Sequence, residues 1–172
     1  MHVAEAIALG FRYPNPSSAA NLREATETAT RGAVQRCLRQ FVAAIEDLQL
    51  GEWEELHTAT LDLSAPFVPY VGHVQWGDNY RRGEMMAELK GAMSAAGVEL
   101  GGELPDHIEP ILRYLAVAEA PHPELVDILR PSVATMSKTL ADAAPNNPYQ
   151  HLLDAVEVFT ADLRPLTIGR SQ

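Results

Sequence analysis

The sequence predicts an all-α fold, a compact single-domain helical bundle of about seven to eight helices. Apolar residues recur at helical spacing along nearly the whole chain, and no segment alternates apolar and polar residues as a half-buried strand does. Paired turn signals such as Asn-Gly are also absent. The apolar stripes are broad rather than confined to strict heptads, which favours a bundle over a coiled coil.

The predicted helices span residues 3–12, 18–30, 33–49, 52–62, 81–97, 105–119, 122–142 and 147–164. In the third of them one face carries Val34, Cys37, Leu38, Phe41, Ile45 and Leu48. Gly51 follows that stripe, where a helix stop is expected. The length of 172 residues, 1–172, is sufficient for one domain with a sizeable core.

The later helices repeat this pattern. The fifth carries Met85, Met86, Leu89, Met93 and Ala96 and is stopped by Gly97. The seventh carries Leu125, Ile128, Leu129, Val133, Met136 and Leu140, and Pro131 within it is expected to kink or divide the helix. The last carries Leu152, Leu153, Val156, Phe159 and Leu163. The segment 165–172 is expected to fray as a C-terminal tail.

The composition indicates a cytoplasmic protein with a strongly acidic surface. The formal net charge is -10, from 23 acidic and 13 basic residues, so nucleic acids and anionic membranes are repelled and a basic segment is attracted. Charges interrupt every apolar run, which excludes a membrane-spanning helix, and the N-terminus lacks the basic region of a signal peptide. The single cysteine, Cys37, is expected to be a buried structural thiol.

No metal, cofactor or catalytic motif is evident. The six histidines are His2, His57, His73, His107, His122 and His151, and no two of them have the i,i+3 or i,i+4 spacing of a helical metal site. A nucleophile elbow and a phosphate-binding glycine loop are both missing. From these residues the sequence therefore favours a non-enzymatic protein.

The longest stretch predicted to be non-helical is 62–80, "DLSAPFVPYVGHVQWGDNY". Its aromatic residues either plug the bundle or form a functional loop, since long irregular loops in small domains usually have a use. The overlapping segment "WGDNYRRGEMM" also allows two interpretations. Asp78 or Asn79 can cap the next helix, with Arg81 and Arg82 solvated. Aromatic and arginine residues this close together are also typical of a recognition patch.

The segment "GGELPDHIEPILRYLA", 101–116, places Asp106 and His107 at the head of an apolar run. Pro105 and Asp106 suit a helix start, whereas Pro110 is awkward inside a helix that begins at Pro105. A short turn over 105–108 before a helix with Pro110 in its first turn would hold Asp106 and His107 on an exposed corner. They then form either a helix-start signal with a surface histidine, an acid–base pair, or part of a protein-binding surface.

Taken together, these segments resemble the TorD/DmsD/NarJ superfamily of molybdoenzyme-maturation chaperones, nearest the NarJ-like nitrate reductase delta subunit branch. The motifs that carry the resemblance are Leu61-Asp62-Leu63, Tyr70, Gly77-Asp78 through Arg82-Gly83 and Met86, and Glu103-Leu104-Pro105-Asp106-His107-Ile108. The resemblance covers roughly residues 56–119, and "NPYQHLLDAV" is similar to the family's closing helix. One departure is Val74-Gln75-Trp76, where the family often has Phe or Leu.

The resemblance implies an all-helical cytoplasmic chaperone without a cofactor, either a monomer or a homodimer. It implies a partner, the catalytic molybdopterin subunit of a DMSO-reductase-family oxidoreductase, bound through its N-terminal or twin-arginine signal segment. The chaperone would hold that segment while molybdenum cofactor is inserted, before export or membrane attachment. The implied peptide-binding residues are Tyr70, His73, Trp76, Asp78, Tyr80, Arg82, Asp106 and His107.

Two rival hypotheses remain. One is a helical-bundle enzyme or cofactor-binding protein that uses Asp106 and His107 as an acid–base pair, which would need a third group converging on the imidazole. The other is a structural subunit that stays bound to its partner in the mature enzyme.

Overall fold

The computed structural model describes residues 1–62 and 67–164, and the helices in those ranges confirm the predicted all-α class. In chain order they are α1 (Val3–Phe11), α2 (Ser18–Ala29), α3 (Gly32–Glu46), α4 (Leu50–Leu61), α5 (Val71–Trp76), α6 (Tyr80–Ala95), α7 (Ile108–Val117), α8 (Pro123–Ala143) and α9 (Tyr149–Ala161). The predicted tail at 165–172 and Leu63 of the first motif lie outside the described residues.

The core is built where α9 packs against α3 and α8, and where α1 packs against α7. The apolar stripes predicted from the spacing supply it, with Leu38 and Phe41 of α3 and Leu152 of α9 fully buried. Gly10 permits the close approach of α1 to α9, because a Cβ at this position would lie 2.6 Å from a methyl carbon of Leu152. Trp53 of α4 donates its indole N–H to the Tyr149 hydroxyl at 3.2 Å, which satisfies one polar atom in this apolar interior.

Pro131 does not divide its helix, so α8 is continuous from Pro123 to Ala143. Pro131 is exposed and so is Asp127, one turn earlier, whose carbonyl loses its usual N–H donor. Because that carbonyl lies on the solvent side, water can replace the missing donor, and the buried face of α8 is kept.

The prediction that 62–80 is irregular is wrong over part of its length, because α5 lies within it. The predicted helix 105–119 starts later than its range, since α7 begins at Ile108. This start agrees with the expectation of a short turn before a helix with Pro110 in its first turn, because Pro110 is the third residue of α7. A proline is tolerated there because the first N–H groups of a helix have no partner within it.

Cys37 is half-buried on α3 rather than fully buried, and burial raises the pKa of its thiol. This direction agrees with the predicted structural role, since a raised pKa leaves the thiol protonated and unreactive near neutral pH. In the described ranges, none of the helices has both the length and the apolar character that crossing a bilayer requires.

Candidate functional site

Residues 70–86 and 103–108, here called the two motif segments, carry most of the motif residues. They meet in the folded chain through a short antiparallel bridge between Tyr70 and His107. The Val71 N–H donates to the Asp106 carbonyl at 2.8 Å, and the Ile108 N–H donates to the Pro69 carbonyl at 3.0 Å. These bonds join the beginning of α5 to the beginning of α7. The predicted association of the two segments is therefore a direct backbone contact.

A buried ion pair adds α6 to this junction. Arg82 donates from Nε to Asp106 Oδ2 at 2.8 Å and from Nη2 to Oδ1 at 3.3 Å. The Asp106 side chain is 1% exposed and that of Arg82 is 15% exposed. The hydrogen bond to this carboxylate raises the pKa of Arg82. The prediction of an exposed corner is wrong for Asp106, because the carboxylate turns inward to a guanidinium from another helix.

Gly72 provides the room for this ion pair. A Cβ at position 72 would lie 2.8 Å from Asp106 Oδ2 and 3.1 Å from Cγ of Arg82. Any side chain here would have to displace either the carboxylate or the arginine stem. The need for a glycine at this position was not apparent from the sequence, because the crowding atoms come from α6 and from the segment before α7.

Tyr70 links the ion pair to an acidic neighbour. The Arg82 guanidinium lies over the Tyr70 ring, 5.5 Å from its centroid, which is a cation–π contact. The Tyr70 hydroxyl donates to Glu103 Oε1 at 3.0 Å. Burial, followed by the charge of Glu103, raises the pKa of Tyr70 to about 12. The phenol therefore stays protonated and remains a donor near neutral pH.

His107 is the N-cap of α7 rather than a surface residue, and it is 6% exposed. Its Nδ1 accepts the Glu109 backbone N–H at 3.1 Å, so the proton of the neutral ring is on Nε2. The ring packs edge-on against Tyr70, with 5.1 Å between the centroids. Burial lowers the pKa of His107, which favours the neutral form that this cap requires.

The other four predicted residues lie at the surface around α5 and the start of α6. Tyr80 is 79% exposed, and Trp76 is half-buried beneath the Arg81 guanidinium, 5.5 Å from the ring centroid. His73 Nδ1 lies 3.5 Å from the carboxylate of exposed Asp78. Asn79, not Asp78, caps α6 by accepting the Arg81 N–H at 3.0 Å. We call Trp76, Tyr80, His73 and Asp78 the aromatic border.

Arg81 fixes the aromatic border to the rest of the bundle. Its guanidinium pairs with Glu124 at the start of α8 and with Glu84 of α6, and the latter contact measures 3.2 Å. The prediction that both arginines are solvated is therefore wrong for Arg82, which is 15% exposed, whereas Arg81 is 35% exposed and paired with two carboxylates. Of the aromatic residues in this stretch, Phe67 is buried in the core, as expected of a residue that plugs the bundle, whereas Tyr80 faces solvent.

A cleft of about 290 Å³ opens beside the junction, where the ends of α1 and α4 approach the start of α7. Its walls are Phe11, Arg12 and Tyr13 from the end of α1, His57 and Asp62 from the end of α4, and Glu103, His107 and Glu109. We call it the acidic cleft. Apart from His107, none of these residues was a predicted site residue, although Asp62 and Glu103 belong to the motifs that carry the resemblance. The ends of α1 and α4 come together with the start of α7 only in the folded protein.

The comparisons with known proteins support the fold. No protein-family model matches the chain, and no curated protein matches it significantly in sequence. Among solved structures, the chain is similar to a "putative redox enzyme maturation protein" from Archaeoglobus fulgidus. The TM-score is 0.65 at 20% sequence identity, with 92% of this chain and 91% of that chain covered. The all-helical architecture is thus shared over nearly the whole length of both proteins.

Proposed function

We propose that this protein is a cytoplasmic maturation chaperone for a molybdenum-containing redox enzyme. It binds the N-terminal segment of the catalytic subunit, which often includes a twin-arginine signal, and holds it while molybdenum cofactor is inserted. The observation that most supports this proposal is the Arg82–Asp106 ion pair beneath the Tyr70–His107 bridge. It joins the two segments that carry the family resemblance in one site.

The eight predicted peptide-binding residues take two roles in this proposal. Tyr70, Arg82, Asp106 and His107 form the fixed base of the site, since they bond mainly to one another and to the adjacent backbone. The aromatic border contacts the bound segment, because Tyr80 and Asp78 are exposed and Trp76 offers part of its ring. Aromatic side chains bury much apolar area at little conformational cost, which suits the apolar part of a signal segment.

Electrostatics support the same class of partner. The chain has a net charge of -10, so its field attracts a basic segment and speeds the encounter. The fold shared with the Archaeoglobus protein is compatible with a maturation role. Selection of one partner enzyme among several molybdoenzymes would then depend on the contacts made by the aromatic border.

The acid–base hypothesis gains little from the geometry. The Asp106 carboxylate is bonded to Arg82, and His107 Nδ1 is occupied by a backbone N–H. A general base needs a lone pair within reach of a substrate proton, and neither of these two groups offers one in this arrangement. We therefore prefer the non-catalytic chaperone.

Peptide binding tests the proposal directly. Synthetic peptides covering the N-terminal segment of each molybdopterin catalytic subunit of the same organism are titrated into the purified protein by calorimetry. We expect Tyr80→Ala and Trp76→Ala to weaken binding by about tenfold or more each, as loss of an aromatic contact at an interface centre typically does. Val158→Ala, which removes an exposed apolar side chain on α9, is the matched control and should leave the affinity unchanged. Absence of binding by the N-terminal segment of every such subunit would refute the proposed function.

A further inference from the structure

We propose that the acidic cleft is a binding site for an arginine side chain of the partner segment, with Asp62 and Glu103 supplying the charge and His57 an additional acceptor. The identity of the partner rests on the proposed function, whereas the preference for a guanidinium rests on the cleft itself. The site is distinct from the aromatic border, and only His107 belongs both to its walls and to the predicted residues.

The first observation is an unbalanced set of charges. Glu109 is already shared by Arg12 and Arg113, whose Nε atoms lie 2.9 and 2.8 Å from its Oε1. Glu103 accepts hydrogen bonds from the Tyr70 hydroxyl and the Leu104 N–H, and neither donor carries a charge. Within the described ranges, neither Glu103 nor Asp62 forms a salt bridge. Two carboxylates of the cleft are therefore available to a cation.

The second observation is a buried histidine with an unused lone pair. His57 is 6% exposed, and its Nε2 lies 3.0 Å from the Phe11 carbonyl oxygen. A carbonyl only accepts, so Nε2 carries the proton and Nδ1 of the neutral ring is an acceptor. Among the residues that the structure describes, Nδ1 meets no donor. Buried polar atoms are rarely left unsatisfied, so an unused acceptor on a residue that lines the cleft points to a ligand with N–H groups.

A guanidinium fits this set of acceptors better than an ammonium does. It is planar, carries five N–H donors in a fixed fork and stays charged, so it can bond to several acceptors at once. Arg12 illustrates the interaction, because its Nε donates to Glu109 in the same cleft while the side chain is 41% exposed. Tyr13, exposed at the cleft and packed edge-on against His57 at 5.3 Å, offers an aromatic face for stacking.

The test uses a small probe and NMR. N-acetyl-arginine amide is titrated into the full-length protein, and the ring resonances of His57 and the backbone amide of Glu103 are followed. N-acetyl-citrulline amide, which has nearly the same shape without the charge, is the matched probe. We expect the arginine probe to shift these resonances saturably and the citrulline probe to leave them unchanged. Equal shifts with both probes would overturn the proposal.

Variants that remove either a negative or a positive charge from the cleft provide a second test. Asp62→Asn and Glu103→Gln each remove one negative charge, and we expect each to weaken binding of the arginine probe by about fivefold. Arg12→Gln removes a competing cation, while Arg113 continues to pair with Glu109, so this variant should bind more tightly. Glu24→Gln removes a charge on the exposed face of α2, which contributes no residue to the cleft walls, and serves as the control. Unchanged affinity in all three cleft variants would overturn the proposal.

The same variants separate this inference from the proposed function. If the partner peptide binds with unaltered affinity to Asp62→Asn and Glu103→Gln, the chaperone function stands and the cleft inference is overturned. If the arginine probe binds as expected and no partner peptide binds, the arginine site is supported and the chaperone function fails.

Discussion

At the scale of single residues, the central finding is the burial of Asp106. From the sequence, a carboxylate next to a histidine at a helix start is expected to face solvent. In the structure, Asp106 is 1% exposed and bonded to Arg82 through both oxygens. Burying charges is tolerated only when they are paired and hydrogen-bonded. The glycine at 72, which leaves space for this carboxylate, is as much a part of the arrangement as the two charged residues.

The ion pair leads to a stability prediction. Asp106→Asn leaves the Arg82 guanidinium largely buried without its counter-charge, and we expect the free energy of unfolding to fall by about 3 kcal/mol. The double variant Asp106→Leu with Arg82→Met removes both charges and should lose less than Asp106→Asn alone. Urea unfolding followed by circular dichroism measures both. A double variant that is less stable than Asp106→Asn would contradict the assigned role of the pair.

At the scale of secondary-structure elements, the short helix α5 depends on its neighbours. Six residues cannot form a stable helix in isolation, because nucleation costs more than so few hydrogen bonds return. In the folded chain α5 packs against α8 and α6, and the bridge to residue 107 holds its first turn. The beginning of α7 is fixed at the same place by the His107 cap.

The His107 cap predicts a dependence of stability on pH. Burial lowers the folded pKa of His107 below its unfolded value of about 6.5, although Glu103, Glu109, Asp62 and Asp106 oppose this shift. The stabilisation is therefore complete above pH of about 6.5 and is lost as pH falls through the folded pKa. Protonation of Nδ1 also removes the acceptor that the Glu109 N–H uses.

The check is a comparison with a cap that does not titrate. His107→Asn retains a side-chain acceptor at the N-cap, so its stability should fall less between pH 7 and pH 5. Urea unfolding at several pH values gives both curves, and the shared titration of the other histidines and carboxylates cancels in their difference. Parallel curves would show that His107 does not contribute the predicted proton linkage.

At the scale of the whole molecule, the fold places the acidic cleft and the aromatic border next to the junction between α5 and the start of α7. The bridge places α5 beside the start of α7, and the acidic cleft is formed by that same start with the ends of α1 and α4. A segment with arginines and an apolar stretch can therefore contact both parts of the surface. This arrangement provides a physical basis for the proposed chaperone role.

The molybdenum content of the partner enzyme tests that role in the cell. In a strain that lacks this protein, we expect the purified catalytic subunit to contain only a minor fraction of its normal molybdenum, measured by elemental analysis. Expression of the natural chain should restore it, and the variant with both Tyr80→Ala and Trp76→Ala should not. A subunit with full molybdenum content in the deletion strain would exclude a maturation role. Stoichiometric co-purification with the mature enzyme would instead favour the structural-subunit hypothesis.

Local patterns in the sequence were sufficient for the all-α class and for most of the helices. Helical periodicity is a property of neighbouring residues, so the stripes of Leu38 and Phe41, or of Leu152 and Val156, predict buried faces without knowledge of the partner helix. The association of the two motif segments came from the family resemblance, and the Tyr70–His107 bridge gives it a physical basis.

The tertiary structure alone decided which polar residues are buried and which remain available. Asp106 and Arg82 are paired across a separation of 24 residues, and the acidic cleft combines three segments that are distant in the chain. The side-chain environment of each residue is set by such long-range contacts, which no local pattern encodes. The sequence by itself therefore determined the helices and their apolar faces, and packing determined the site, because burial and charge pairing depend on residues that only folding brings together.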